Sequence, residues 1–217
     1  MRIGLIGMAG TGKSTWAGRF QAHGFHRIDC DRTIAERLSS GLGGEDDLIA
    51  ALGAWMGLPW EPGYEDRAAQ YREQEVEVMQ EALASLAGTS APEDVVVDTA
   101  GSVIYAGPSV LRELVRQTAV VHLETPPEVQ ERMLEAFVER PGPVLWRGMF
   151  QKLPEESEKQ ALARCYPLLL ADREKRYRAL ARVSLPHAFH RRDAQGVEDL
   201  LERIRKEIRG RPQPALS

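Results

Sequence analysis

The earliest strongly apolar stretch, Arg2–Ile6 (RIGLI), is continuous rather than alternating, which predicts a strand covered on both faces in a parallel sheet. Residues 13–22 carry helical spacing and stop near Gly24, where a glycine ends a helix readily. Residues 25–29 (FHRID) predict a second, weaker strand and residues 34–39 a helix. Glycines and prolines then bracket a short helical stretch at 47–56, and residues 64–87 predict a long, charged, amphipathic helix. The runs VVVD at 95–98 and AVVHL at 119–123 read as strands. A helix is predicted over 126–138, with prolines where a first turn tolerates them. Residues 140–154 (RPGPVLWRGMFQKLP) break every periodicity and predict a loop or lid. An Arg-rich helix is expected over 155–180, kinked or split by Pro167. A fifth strand at 183–185, a closing helix at 197–208 and a frayed tail at 210–217 complete the chain. Strands alternating with helices imply an α/β three-layer sandwich, with a parallel sheet of about five strands and helices on both faces. Such sheets bind ligands at the carboxyl ends of their strands.

Composition narrows the function classes. The chain has 217 residues, 43% of them hydrophobic, enough for a real core and too many for a disordered chain. Its 28 Lys+Arg against 32 Asp+Glu give a net charge of −4, which argues against a dedicated nucleic-acid binder. Cys30 and Cys165 make no disulfide framework. No apolar run approaches the roughly 18 residues of a membrane span. A cytoplasmic protein with no membrane or nucleic-acid partner is expected.

The sharpest chemical signal lies between the first strand and the first helix. Gly7-Met-Ala9-Gly10-Thr11-Gly12-Lys13-Ser14 fits the phosphate-loop pattern G-x-x-x-x-G-K-[ST], with Thr15 following. The glycines let backbone N–H groups turn around phosphate oxygens at a helix N-terminus. Lys13 is placed to reach the β- and γ-phosphates of ATP, and the Ser14 hydroxyl to ligate Mg²⁺. A glycine-rich strand–helix turn is the bland alternative, but no such turn requires Gly-Lys-Ser.

Other candidates are weaker one by one. Asp29 and Asp31 end the second predicted strand, where alternation puts both carboxylates on one side; Asp31 as a helix cap is the competing reading. Asp98 ends VVVD, the usual place for a metal-side carboxylate, and a turn residue is its alternative. Cys30, flanked by two carboxylates that raise its pKa, reads as a buried filler. His187 and His190 lack further ligands for zinc and read as a surface loop. Trp55, Trp60 and Trp146 are either core or walls of an apolar pocket.

Taken in order, these stretches resemble the shikimate kinase family of P-loop kinases. The likeness begins at GMAGTGKST and continues with Asp29-Cys30-Asp31, similar to that family's D-x-D. Tyr71-Arg72-Glu-Gln-Glu75 is similar to F-R-x-x-E, Arg140-Pro141 to the lid R-P, and Arg173-x-x-x-Tyr177-x-x-x-Ala181 to R-x-P-L-Y-x-x-x-A. The resemblance implies one P-loop kinase domain over 1–217, with an acceptor-binding segment at 41–87 and a lid at 140–154. It assigns Asp29 to Mg²⁺ through water, and Asp31 to the acceptor hydroxyl as orienting group or base. Arg72, Arg173 and Gly101 fall to the acceptor and Arg140 to the phosphates, with Arg132 and Arg191 or Arg192 beside adenine. Two departures stand at the acceptor site. Thr99-Ala100-Gly101-Ser102 replaces a triple glycine, and the segment between Asp31 and Arg72 is longer than the family's usual one.

The function expected is ATP- and Mg²⁺-dependent phosphoryl transfer to a small, anionic, hydroxyl-bearing acceptor, by a monomer or small homo-oligomer. Alternatives are a nucleotide, nucleoside or sugar kinase, and a regulatory ATP-binding module. Because charge recognition is kept while shape recognition is altered, shikimate is expected to be a poor substrate or none.

Overall fold

Five short strands form the sheet, and all five pair in parallel. In the computed structural model, which describes residues 1–38, 48–88, 92–191 and 196–210, they are β1 (Arg2–Ile6), β2 (His26–Asp29), β3 (Val95–Asp98), β4 (Ala119–Leu123) and β5 (Val183–Leu185). Their order across the sheet is β2-β3-β1-β4-β5. The interior strands β1, β3 and β4 are almost wholly buried, whereas edge strand β2 is half-exposed. That gradient is why RIGLI, VVVD and AVVHL are continuous apolar runs while FHRID is not.

Alternation sorts the strand side chains between two cores. Ile3, Leu5, Val96 and Val121 join Trp16 and Phe20 of α1 (Lys13–Ala22) and Leu200, Leu201 and Ile204 of α9 (Val197–Gly210) on one face. Ile6, Val95, Val97 and Val120 face a larger core on the other side. That core includes residues of α2 (Cys30–Leu38), α3 (Leu48–Met56), α4 (Tyr64–Ser85), α5 (Pro108–Gln117), α6 (Pro127–Glu139) and α7 (Glu158–Leu180). A short helix, α8 (His187–His190), follows β5.

Several expectations need correction. The helix expected from residue 34 starts at Cys30, directly after β2, so Asp31 lies in its first turn and not on a strand. Pro167 does not split α7, which runs unbroken from Glu158 to Leu180 behind a capping box made by Ser157 and Gln160. Residues 103–117, for which no element was predicted, form a 3-10 turn at Val103–Tyr105 followed by α5. His187 and His190 are not in a loop: they span α8, and His190 is buried, its Nε2 facing the carbonyl of Glu124 at 3.0 Å. Most of the tail, residues 211–217, and the start of the acceptor segment, residues 41–47, lie outside the described residues. Among the described residues no helix is long and apolar enough to cross a membrane.

Candidate active site

The strand order builds the site. β1 lies between β3 and β4, and its register sets Leu5 against Asp98, so the loop leaving β1 emerges beside that carboxylate. β2 pairs with β3 so that Asp29 stands directly against Asp98. Two carboxylates and the phosphate loop thus meet at the carboxyl end of the sheet.

The loop has the backbone its glycines allow. Gly10 and Gly12 sit at φ 76° and 96°, in the left-handed region that favours glycine, and Gly12 precedes the first residue of α1. Lys13, 5% exposed, donates through Nζ to the carbonyl oxygens of Gly7 and Met8 at 2.9 and 3.1 Å. Burial lowers its pKa, opposed most strongly among its neighbours by the charge of Asp31. Thr11 donates to the Met8 carbonyl, while Ser14 and Thr15 are exposed. Ala9, Gly10, Gly12, Lys13, Ser14 and Thr15 all line one cleft of about 1040 Å³.

Asp29, Asp31, Gly101, Arg140 and Arg173 line the same cleft. Asp29, not Asp31, supplies the cap of α2: its Oδ1 accepts from the backbone N–H of Arg32 at 3.0 Å. Asp31 is left for other work. Burial, with the charges of Asp98 and Asp29, pushes its pKa up to about 7 against the pull of Lys13. A carboxyl near 7 is matched to general-base duty. Asp98 is buried, and burial raises its pKa too. Arg27 joins the two strand carboxylates, its Nη2 lying 2.6 Å from Asp29 Oδ2 and 2.7 Å from Asp98 Oδ2. Sequence reasoning misses Arg27, although alternation sets residues 27 and 29 on one face of β2.

Helix α4 sorts its residues by phase. Tyr64, Ala68, Tyr71, Glu75, Val78, Met79 and Ala82 form its buried stripe, and Tyr71 reaches the cleft. Arg72, expected at the acceptor, is one position off that stripe. It is exposed and lines a separate pocket of about 250 Å³ beside Trp146 and Arg147. Glu75 is fully buried, accepts from the Ser102 hydroxyl at 2.7 Å through Oε1, and has no hydrogen-bond partner on Oε2. Burial lifts its pKa to about 8.

Arg173 is the guanidinium that α7 turns inward. It is 5% exposed and donates to the Leu145 carbonyl at 3.0 Å, while its Nε has no hydrogen-bond partner. One helical turn on, Tyr177 donates to the carbonyl of Gly101. The expected lid divides in two. Arg140 is exposed at the end of α6, on the cleft. Farther along, Tyr64 Oη donates to the Val144 carbonyl at 2.7 Å and accepts from Trp146 N–H at 3.1 Å. Leu145 and Trp146 are buried, Trp146 against Phe137, Phe150 and Tyr166, so this half of the segment is anchored in the core. Trp55 and Trp60 are partly buried against the same core, and none of the three tryptophans lines the cleft. Cys30 is buried, with its thiol pKa raised. Arg132 and Arg191 line the cleft together, and Arg192 lies outside the described residues.

The oxygen donors fit a magnesium ion. Asp98 Oδ1 is buried with no hydrogen-bond partner, Asp29 adjoins it on the next strand, and the Ser14 hydroxyl is near enough to lower the Asp98 pKa. Hard oxygen ligands from one or two carboxylates and a hydroxyl, completed by water and phosphate, are what Mg²⁺ takes at nucleotide sites. Among the described residues no group of three or more His, Cys, Asp or Glu side chains is arranged to hold a metal by itself.

Comparison with solved structures places the fold. Shikimate kinase from Acinetobacter baumannii, in complex with shikimate, matches with a TM-score of 0.54 at 24% identity, over 94% of this chain and 89% of that one. Shikimate kinase from Aquifex aeolicus matches with a TM-score of 0.54 at 20% identity, over 97% of both chains. The enzyme from Bacteroides thetaiotaomicron gives 0.52 at 17% identity, over 97% and 95%. No protein-family model matches the chain, and no curated protein matches it in sequence. The chain has the P-loop fold of shikimate kinases.

Proposed function

We propose that the chain is an ATP- and Mg²⁺-dependent kinase that phosphorylates a hydroxyl of a small anionic metabolite. The observation that carries this reading is one cleft in which the phosphate loop with Lys13 faces Asp31 and the inward guanidinium of Arg173. Backbone N–H groups of residues 9–15 bind the phosphates, and Lys13 exchanges its two carbonyl contacts for β- and γ-phosphate oxygens. Ser14, Asp98 and Asp29 would hold Mg²⁺, which would supply positive charge against the phosphates. Asp31 accepts the proton of the acceptor hydroxyl as the bond to the γ-phosphorus forms and the bond from that phosphorus to ADP breaks, its basicity raised by burial. Arg173 anchors the acceptor's anionic group with the donor capacity its Nε leaves open. Arg140, exposed on the cleft lining, meets the phosphates in this reading.

Shikimate fits this arrangement poorly. The resemblance calls for Arg72 and Arg173 together, and Arg72 faces a different pocket. A coupled assay of ADP formation against a panel of hydroxylated carboxylates and phosphates, shikimate included, tests the reading. At least one member is expected to raise turnover tenfold or more, and Asp31→Asn to lower it by about 10² or more. A panel in which nothing stimulates turnover, or an Asp31→Asn enzyme as fast as wild type, overturns the kinase reading. A shikimate kcat/KM of about 10⁴ M⁻¹s⁻¹ or above would make shikimate the acceptor.

A further inference from the structure

The cleft is polar on its floor and apolar on its outer wall. The floor is the phosphate loop with Asp29, Asp31 and Arg173, and the wall is drawn from α3, α6, α7 and the segment after α6. Helix α6 contributes Val129, Met133, Ala136 and Phe137, spaced as one helical face, and α7 adds Tyr166 and Leu170. Ile49 of α3, at 42% exposure, is a large hydrophobic left open to solvent inside this cleft; the other exposed ones, Val138, Leu153 and Leu168, do not line it.

The part of the apolar wall made by Ile49, Phe137 and Val144 belongs to the acceptor half, whereas α6 also turns Arg132 into the cleft. Helix α3 packs against α2 and α4, which carry Asp31 and Tyr71, and Gly53 lets it abut the 141–142 backbone, where a Cβ would meet the Pro141 carbonyl oxygen at 2.5 Å. The nucleotide's far end is marked instead by Arg132, His187 and Arg191, the last with Nη1 3.4 Å from where a Cβ on Gly12 would stand. Polar groups that line the acceptor half are largely engaged already: the Ser102 hydroxyl donates to Glu75 and Arg32 to Glu36. Arg72 faces elsewhere, and Arg27 is committed to Asp29 and Asp98. That leaves Arg173 as the buried fork for an anion, beside a wall that is mostly aliphatic and aromatic. A volume of about 1040 Å³ lies just above the roughly 300–1,000 Å³ usual for one drug-sized ligand, which leaves room for an acceptor beside a nucleotide.

We infer that the acceptor is an amphipathic hydroxy acid: its anionic group meets Arg173, its hydroxyl meets Asp31, and an apolar body of several carbons lies against Ile49, Met133, Phe137 and Val144. This rests on the kinase reading and narrows it from small anionic alcohols in general to those with an apolar substituent. Burying that substituent supplies affinity that a single guanidinium does not, at about fourfold per methylene.

The test uses two homologous series, 2-hydroxy and 3-hydroxy carboxylic acids from three to eight carbons. Each is titrated calorimetrically into the protein saturated with Mg²⁺ and a non-hydrolysable ATP analogue. In at least one series affinity is expected to climb about fourfold per added methylene until the wall is covered. Ile49→Ser and Met133→Ser should each cut the ratio between the longest and shortest acids several-fold. Affinity that is flat or falls with chain length, or a ratio untouched by both variants, overturns the inference and leaves the kinase reading standing. If the analogue binds and no acid of either series does, the anionic-acceptor reading and this inference fall together.

Discussion

Glu75→Gln offers a direct test of how the acceptor side is held, because it exchanges a buried carboxyl for a neutral group of the same shape. Glu75 is fully buried beneath Ser102, with one oxygen unpartnered, and burial lifts its pKa from 4.5 to about 8. Between those two values the unfolded chain has released the proton and the folded chain still holds it. Stability therefore falls as pH rises through that window, by about 1.4 kcal/mol per unit, and levels off above pH 8. Glutamine has no proton to lose, so its advantage over the wild type grows across the same range. It should reach about 1 kcal/mol at pH 5 and about 4 kcal/mol at pH 8. Asp31, pushed up to about 7, adds a slope of the same sign; its own burial is common to both proteins and cancels in the difference, while its repulsion of Glu75 is part of what the difference reads. Urea unfolding of both proteins at the two pH values measures the quantity directly. A difference that is the same at pH 5 and pH 8 would refute the titration argument and leave only a change in packing. A Glu75→Gln variant less stable than wild type at pH 8 would show that the carboxylate is bound and ionised in the fold.

Lys13→Ala should cost phosphoryl transfer at least about a hundredfold, the scale of losing one preorganised charge donor, while the far-ultraviolet circular dichroism stays that of wild type; wild-type turnover would remove the phosphate loop from the chemistry. Arg173→Lys keeps the charge but loses the planar fork, so the acceptor KM should rise about tenfold or more. Arg72→Ala, at the separate pocket, should shift that KM by less than about twofold under the same assay. Equal effects from the two would mean that Arg72 swings into the cleft. Arg27→Met strips the cation shared by Asp29 and Asp98 and should lower the stability of the ligand-free protein by about 3 kcal/mol. Millimolar Mg²⁺ should raise the melting temperature of that variant more than that of wild type, and an equal response would show that the two carboxylates do not share a metal.

The sequence alone determined the features written in short range. Continuous apolar runs marked β1, β3 and β4 because strands buried on both faces admit no polar alternation. Gly-Lys-Ser between a strand and a helix marked the phosphate loop, and its glycines do adopt the left-handed backbone. Asp31, Gly101 and Arg173 were also found as neighbours of that loop, through a resemblance spread in order along the chain. Helical phase in α4 held unused information: Tyr71 and Glu75 share the buried stripe, and Arg72 is one step off it. What only the tertiary structure decided was which distant positions share a surface. The order β2-β3-β1-β4-β5 sets Asp29 against Asp98 and lets Arg27 bridge them, and no local pattern encodes a neighbour 71 residues away. Likewise, Tyr64 and Arg173 fasten residues 144–146, so a stretch whose prolines and glycines read as loop is half core. Local propensity fixes where the backbone bends, whereas burial and charge are set by whatever the fold brings alongside.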